Sequence, residues 1–491
     1  MLRMKQRQGM APENGKHTTR PLTSEVGVSQ LDTIFLHVES DRTPMHMTSV
    51  ALFEAGPLLD AQGDLRVEEL RQLISSRLHH VPKLRQLPRH GLLFEAPPVW
   101  SDDPAFDISN HVTLRRVAAP GSNRELTELC ADIVSEPLLP DQPLWEMIFV
   151  EGLASGEIAV VEKLHHSMAD GIAAAELATV LLDPSPDSHT NSEPVAWEPR
   201  PRTPLLNTAG RDVARLAAIG LRLAAWAGWT AIHPARRSRA WAMKGAAAIG
   251  LFRGGPLAPR SPLNHQIGPD RSIHFARFDL DEVRTVARAR GCTVNDVVLT
   301  MVAHGLHKLL TKRDALDSQT QIQVLVPVGL DIGPDRALGN RISALLVRVA
   351  LGTDDVVASL AQISAQTKSR REQHQELLGA TALSLLEPIP QSALVPLSWL
   401  IGHQPFFNLI VTNVPGPDVP LYLLGARMTA AYPIVPLVGN QGLGVAALSY
   451  MEQLTLGVLA DPHVCPDADI LCEGAAEALG ELRHNIPAPA V

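Results

Sequence analysis

Apolar positions along the chain fall into two rhythms. Short continuous runs at Val50, Leu52 and Phe53, at residues 147–150 and at residues 158–161 are bounded by polar residues, as in buried strands. Helical spacing governs residues 67–78, where Leu70, Leu73 and Ile74 share one face, and residues 126–134 and 172–182. After a stretch rich in Pro, Ser, Asp, Asn and Thr at 184–208, the alternation resumes. Helices are predicted at 279–289, 293–310 and 356–376. Strands are predicted at 322–326, 342–349, 409–413, 446–450 and 454–459. Strands and helices mixed in this way predict an α/β fold in two units.

At 491 residues the chain exceeds one ordinary core. The expected organisation is a disordered tail at 1–20, an α/β domain at 21–183, a linker with basic amphipathic helices at 184–263 and a second α/β domain at 264–491. With 45% apolar residues and a mean hydropathy of +0.04, the composition is that of a folded globular protein. The four cysteines are scattered without a C-x-x-C pair, which points to neither a zinc site nor a disulfide framework and fits a reducing, cytoplasmic compartment. The basic N-terminus lacks the apolar core of a secretory signal.

Charge changes this picture at one place. The chain carries −9 overall, yet residues 211–260 hold nine cationic side chains and one acid, Asp212. The segment is thus +8 and the remainder −17. Trp226, Trp229 and Trp241 lie among those cations, a mixture suited to an anionic lipid surface. A helical connector whose arginines pair with the acidic domains explains the charge equally well. Nucleic acid is a poor partner for a chain that is acidic overall and carries no nucleic-acid motif.

The chemistry concentrates at residues 163–171, Lys-Leu-His-His-Ser-Met-Ala-Asp-Gly. His166, Asp170 and Gly171 form an H-x-x-x-D-G pattern after a strand and before a helix, with His165 just ahead. Histidine titrates nearest neutral pH and suits a general base. We read His166 as a base that activates a hydroxyl, Asp170 and Gly171 as shaping the turn, and His165 as orienting His166 or lining its pocket. A second pair, His79 and His80, has no following Asp-Gly and reads as structural. Thr293 can cap a helix carrying Asn295 and Asp296 in its first turn. Helix capping explains those residues; a functional reading makes Asn295 a hydrogen-bond donor at the site and Asp296 the organiser of the helix start. Sharp turns follow at 412–417 and 338–341. Neither a phosphate-binding glycine loop nor a G-x-S-x-G elbow is present.

Taken in order, these strings resemble the bacterial wax ester synthase/diacylglycerol acyltransferase family. They comprise Leu31-Asp32-Thr33-Ile34-Phe35-Leu36, Pro44-Met45-His46, Phe106-Asp107-Ile108, Pro143-Leu144-Trp145-Glu146 and the histidine motif. Asn295-Asp296-Val297-Val298, Val326-Pro327-Val328, Leu338-Gly339-Asn340, Thr412-Asn413-Val414-Pro415-Gly416-Pro417 and Ser449-Tyr450 follow. Gly329 and Asp331 depart from the Ser and Arg of many relatives.

The resemblance implies two chloramphenicol-acetyltransferase-like domains with mixed sheets flanked by helices, joined by a long helical connector, with a channel between them. It implies acyl transfer from acyl-CoA to diacylglycerol or a long-chain alcohol, with no cofactor and no metal, at a peripheral membrane or lipid-droplet surface. Catalytic roles would fall to His166, His165, Asp170 and Asn295, and substrate contacts to Gly171 and Asp296. An acyltransferase for a polyketide or glycolipid alcohol, or a non-catalytic lipid-droplet protein, are the alternatives.

Overall fold

In a computed structural model of the protein, residues 26–91, 96–169, 171–187, 197–202, 205–232, 257–329, 342–372, 395 and 402–486 are described. In chain order the first half contains β1 (Val26–Gly27), α1 (Gln30–Val38), β2 (His46–Glu54), α2 (Val67–Arg77), β3 (Gln86–Arg89), β4 (Val99–Asp102), β5 (Val112–Arg116), α3 (Asn123–Ser135), β6 (Trp145–Glu151), β7 (Glu157–His165), α4 (Gly171–Leu181) and α5 (Leu205–Ile232). The second half contains β8 (Ser272–Asp279), α6 (Leu280–Arg290), α7 (Val294–Lys312), β9 (Gln321–Gly329), β10 (Ile342–Ala350), α8 (Val356–Glu372), β11 (Leu409–Pro415), β12 (Tyr422–Leu423), β13 (Ala426–Ile434), β14 (Leu443–Tyr450), β15 (Gln453–Ala460) and α9 (Asp469–His484).

Two six-stranded sheets dominate, ordered β12-β13-β2-β7-β6-β5 and β10-β9-β11-β14-β15-β8, beside a small sheet β1-β4-β3. Both large sheets are mixed. β5 runs parallel to β6, and β11 runs parallel to β9 and β14, while their other pairings are antiparallel. The predicted α/β class with helix-flanked mixed sheets is therefore the observed one. Helix ends obey local chemistry: Ser122 with Glu125, and Thr293 with Asp296, form capping boxes, and Gly291 closes α6 in the left-handed region at φ 64°.

The division of the chain at residue 264 is not kept by the strands. β12 and β13 belong to the second half in sequence, yet they extend the sheet of the first half, β13 pairing with β2 from Met428–Phe53 to Ile434–Thr48. A slip in register between Met428 and Ala430 breaks the alternation of β13, which removes the pattern by which a strand is recognised in sequence.

Alternation along β15 explains how the halves join. Leu454, Leu456, Val458 and Ala460 face the core formed with α6, α7 and α9, while Leu459 packs with Val50, Val161 and α3 of the first half. On the side of Leu459, the Thr455 hydroxyl donates to Ala431 O of β13 at 2.6 Å. Gly457 lies so near β13 that a Cβ there would sit 1.9 Å from Pro433 O. Glycine is thus required where the two sheets cross.

The expected helical connector is present in part as α5, held by Asp212, which is fully buried and accepts from Ala96 N at 2.8 Å. Arg236, Arg237, Arg239, Lys244 and Arg253 of the basic segment, the tail at 1–20 and the 338–340 string lie outside the described residues. Gly457→Ala should lower unfolding free energy by about 1–3 kcal/mol, as overpacking a rigid junction does. Urea titration reads the loss, and unchanged stability would show that β13 and β15 do not clasp.

Candidate active site

A cavity of about 240 Å3 lies between the halves. Its first wall is the face of β2 and β7 carrying Met47, Ser49, Glu162 and Leu164; its second includes Thr412, Asn413 and Val414 of β11 and Ala446, Leu448 and Tyr450 of β14. Apolar side chains make most of the surface, with a few polar groups set into it.

Strand alternation separates the two motif histidines. Residues 162, 164 and 166 line the cavity, as does Lys163, whereas His165 does not; Val161, of the same parity as His165, packs toward α3. His166 is half-buried, stacked on Phe35 with ring centroids 4.2 Å apart, and its N–H donates to Met45 O at 2.8 Å. The stacking and the backbone bond fix where this imidazole points.

His165 is completely buried and does not line the cavity. Its Nδ1 accepts from Ser167 N at 3.0 Å and lies 2.7 Å from Ser167 Oγ. An accepting Nδ1 leaves the ring proton on Nε2, which faces Glu39 Oε2 at 3.4 Å. Two roles were foreseen for His165, orienting His166 or lining its pocket; it is absent from the cavity wall, and its ring bonds to Ser167 within the loop. Glu39 reaches further: its Oε1 accepts from Met45 N at 3.4 Å, the residue whose carbonyl holds His166.

One helix supplies these contacts. Phe35 and Glu39 are one turn apart at the C-terminal end of α1, and Asp32, a turn before Phe35, is buried and acts electrostatically on Lys83. The Lys83 ammonium donates to Met168 O at 2.7 Å and Ser167 O at 3.2 Å while lying 4.5 Å above the Trp100 ring. Burial brings its pKa down from 10.5 to about 8, with Asp32 opposing the shift. Lys83 was not among the residues singled out from the sequence. Phe35, Glu39 and Glu162 went equally unremarked as site residues.

The remaining site residues divide. Gly171 lines the cavity at the start of α4, where a Cβ would lie 3.3 Å from Val414 Cγ2, so a small residue lets α4 approach β11. Asp170 lies outside the described residues. Asn295 and Asp296 are not among the lining residues. Asp296 is buried at the start of α7, where its carboxylate accepts from Thr293 N at 2.9 Å and from Thr367 Oγ1 at 2.7 Å. Its geometry is that of a helix cap tied to α8, matching the organising role and not a substrate contact. Asn413 is the amide side chain that does line the cavity.

Charged groups near the cavity are few. Lys163 pairs with Glu146 at 3.2 Å and donates to Glu136 O at 2.7 Å; burial lowers its pKa and Glu146 opposes this. Glu162 accepts from Ser49 Oγ at 3.0 Å, and burial raises its pKa against that bond. Among the described residues no cluster of three or more His, Cys, Asp or Glu could hold a metal ion.

Comparison with known proteins agrees with this architecture. The wax ester synthase/diacylglycerol acyltransferase catalytic domain model matches residues 28–298, and the C-terminal domain model of the same group matches residues 338–483. A Mycobacterium tuberculosis protein named as a diacylglycerol O-acyltransferase is 32% identical over 474 residues, covering 93% of this chain and 89% of its own. A second from that organism is 30% identical over 462 residues, covering 93% and 98%. The solved wax ester synthase/diacylglycerol acyltransferase from Marinobacter aquaeolei is 25% identical with a TM-score of 0.66, over 94% of this chain and all of that one. The first condensation domain of the calcium-dependent antibiotic synthetase shares the fold at 16% identity and a TM-score of 0.57, over 95% of this chain and 98% of its own.

Lys83 yields a pH test. Between about pH 8 and 10.5 the unfolded chain keeps the proton that the folded chain releases, so this group adds stability as pH rises through the window and loses it as pH falls through 8. The stability of the wild type relative to Lys83→Met should therefore increase from pH 8 to pH 10 in urea titrations. A difference that stays flat would mean the ammonium is not desolvated.

Proposed function

Because the chain belongs to the wax ester synthase/diacylglycerol acyltransferase family, we propose that it transfers a fatty acyl group from acyl-CoA to the hydroxyl of diacylglycerol, forming triacylglycerol, with long-chain alcohols as further acceptors that would give wax esters. The observation that carries this reading is the half-buried imidazole of His166 on the wall of an apolar cavity between the two halves.

In the proposed reaction His166 takes the acceptor's hydroxyl proton as its oxygen attacks the thioester carbonyl. The tetrahedral intermediate collapses, the carbon–sulfur bond breaks, and the leaving CoA thiolate receives the proton from His166. No protein nucleophile and no cofactor take part; acyl-CoA is a substrate. His165, Glu39 and Lys83 are positioning residues that fix the loop bearing the base. Asn413 takes the place proposed from sequence for Asn295, as an amide donor toward the developing oxyanion. Asp170 is assigned to loop architecture and Gly171 to the close packing of α4. Apolar walls hold two greasy substrates together, and such positioning contributes as much as the base.

We also propose that the basic connector rests on an anionic lipid surface. Val213, Leu216 and Leu221 of α5 are exposed, at 57%, 42% and 71%. Among the described residues no helix is long and apolar enough to cross a membrane, so attachment would be peripheral.

Two measurements test these readings. His166→Ala should lower esterification of labelled palmitoyl-CoA with diolein by roughly 10²–10⁴-fold with an unchanged circular dichroism spectrum; near-normal turnover would remove the base assignment. In flotation with vesicles containing phosphatidylglycerol, neutralising Arg236, Arg237, Arg239 and Lys244 together should leave the protein in the dense fraction. Equal flotation of both proteins would remove the surface assignment.

A further inference from the structure

Glu162 is out of keeping with its surroundings. It sits in the central part of β7, paired across to Ser49 on β2 and Met147 on β6, on a face otherwise carrying Met47, Ala51 and Leu164. The other charged residues of the lining, Lys163 and Glu146, are paired with each other. What Glu162 receives is the Ser49 hydroxyl, which occupies one lone pair of one oxygen. A carboxyl so placed retains hydrogen-bonding capacity for a ligand in the cavity. Burying such a group in an apolar wall costs stability to the extent that its hydrogen bonds are not made.

Glu162 is four residues before His166, which follows the last residue of β7, so their Cα atoms are at most roughly 13 Å apart. Both side chains lean into the same cavity. Within that limit the glycerol backbone of an acceptor can lie between the two groups, with a hydrogen bond of about 2.8 Å at each end. A fatty alcohol offers a hydroxyl to His166 and only methylenes beyond it. A diacylglycerol offers its hydroxyl and, on the neighbouring carbons, ester carbonyls that are hydrogen-bond acceptors. A carboxyl meets an ester carbonyl as a donor when it carries its proton, and burial shifts the Glu162 pKa upward, in the direction that retains that proton.

We propose that Glu162, braced by Ser49, is a specificity-determining residue that donates a hydrogen bond to an acceptor's ester carbonyl and so favours partially esterified glycerol over simple long-chain alcohols. The inference rests on the acyl-acceptor reading given above and sharpens it.

The test compares kcat/KM for 1,2-dioleoylglycerol and for hexadecanol, with palmitoyl-CoA as donor, in wild type, Glu162→Leu, Glu162→Gln and Ser49→Ala. Glu162→Leu should lower the diolein value about tenfold while leaving hexadecanol within about twofold, since a desolvated hydrogen bond is worth about one such factor. Glu162→Gln, which keeps a donor, should retain most of the diolein activity, and Ser49→Ala should fall between. Retained turnover of hexadecanol proves each variant folded and its base intact. Equal loss with both acceptors, or an effect confined to the KM for palmitoyl-CoA, would overturn the assignment while leaving the acyltransferase reading in place. A wild type that esterifies hexadecanol but not diolein would overturn the glyceride reading and this inference together.

Discussion

β13 leaves the second half of the chain and hydrogen-bonds along β2 of the first, and β15 then crosses it closely enough that only glycine fits at position 457. This clasp fixes where the two sheets stand. β15 sends Leu454, Leu456 and Val458 into its own domain's core, while Leu459 packs with the other half. β14 does the same with Leu443, Val445 and Ala447 on one side and Ala446, Leu448 and Tyr450 on the other. The second sheet therefore has helices on one face and the first half on the other. Where that second contact is incomplete, the cavity remains. Its apolar lining is a consequence, because it is made from faces that elsewhere bury each other.

Into that gap the chain sets the His166 imidazole with very little freedom. The His166 ring is stacked on Phe35, its backbone is held by Met45, and the loop beyond it is gripped by Lys83 through two carbonyls. α1 contributes Asp32, Phe35 and Glu39 to this support at helical spacing, so a short helix far away in sequence sets the loop's geometry. The loop's groups are interlocked. Glu39 touches both His165 and the Met45 N–H, and Met45 in turn accepts from His166. Disturbing His165 or Glu39 would thus reach His166 through geometry.

Much of this was legible in the sequence, and the exceptions have physical causes. Continuous apolar strands such as β7 and β15, and helices with clear caps such as α7, declare themselves because one interaction dominates each. The histidine motif was legible because strand, turn and helix succeed one another within a few residues. β13 was not, since its register slip and Pro433 blur the period, and its partner lies nearly four hundred residues away. Asn295 looked like a site residue because capping chemistry and ligand-binding chemistry use the same side chains; in the fold its neighbour Asp296 ties the first turn of α7 to Thr293 and Thr367, and Asn295 is not among the residues lining the cavity. Lys83 was hidden for the opposite reason: nothing local distinguishes a lysine that clamps carbonyls from one in water. α9 carried a usable signal in Leu471, Ala475, Ala478 and Leu482, all buried at helical spacing.

A base that deprotonates an alcohol will also deprotonate water, so an imidazole alone makes a thioesterase as readily as a transferase. The proposed chemistry needs something that tells the two nucleophiles apart, and the walls of the cavity do this. Water gains nothing from Met47, Leu164, Leu448 or Met428, whereas a long-chain acceptor gains roughly 25 cal/mol for each square ångström it hides against them. Exclusion of water also raises the strength of each polar contact that remains. Few polar side chains are then enough: the imidazole of His166, the amide of Asn413 and the carboxyl of Glu162 are set into a mostly apolar wall.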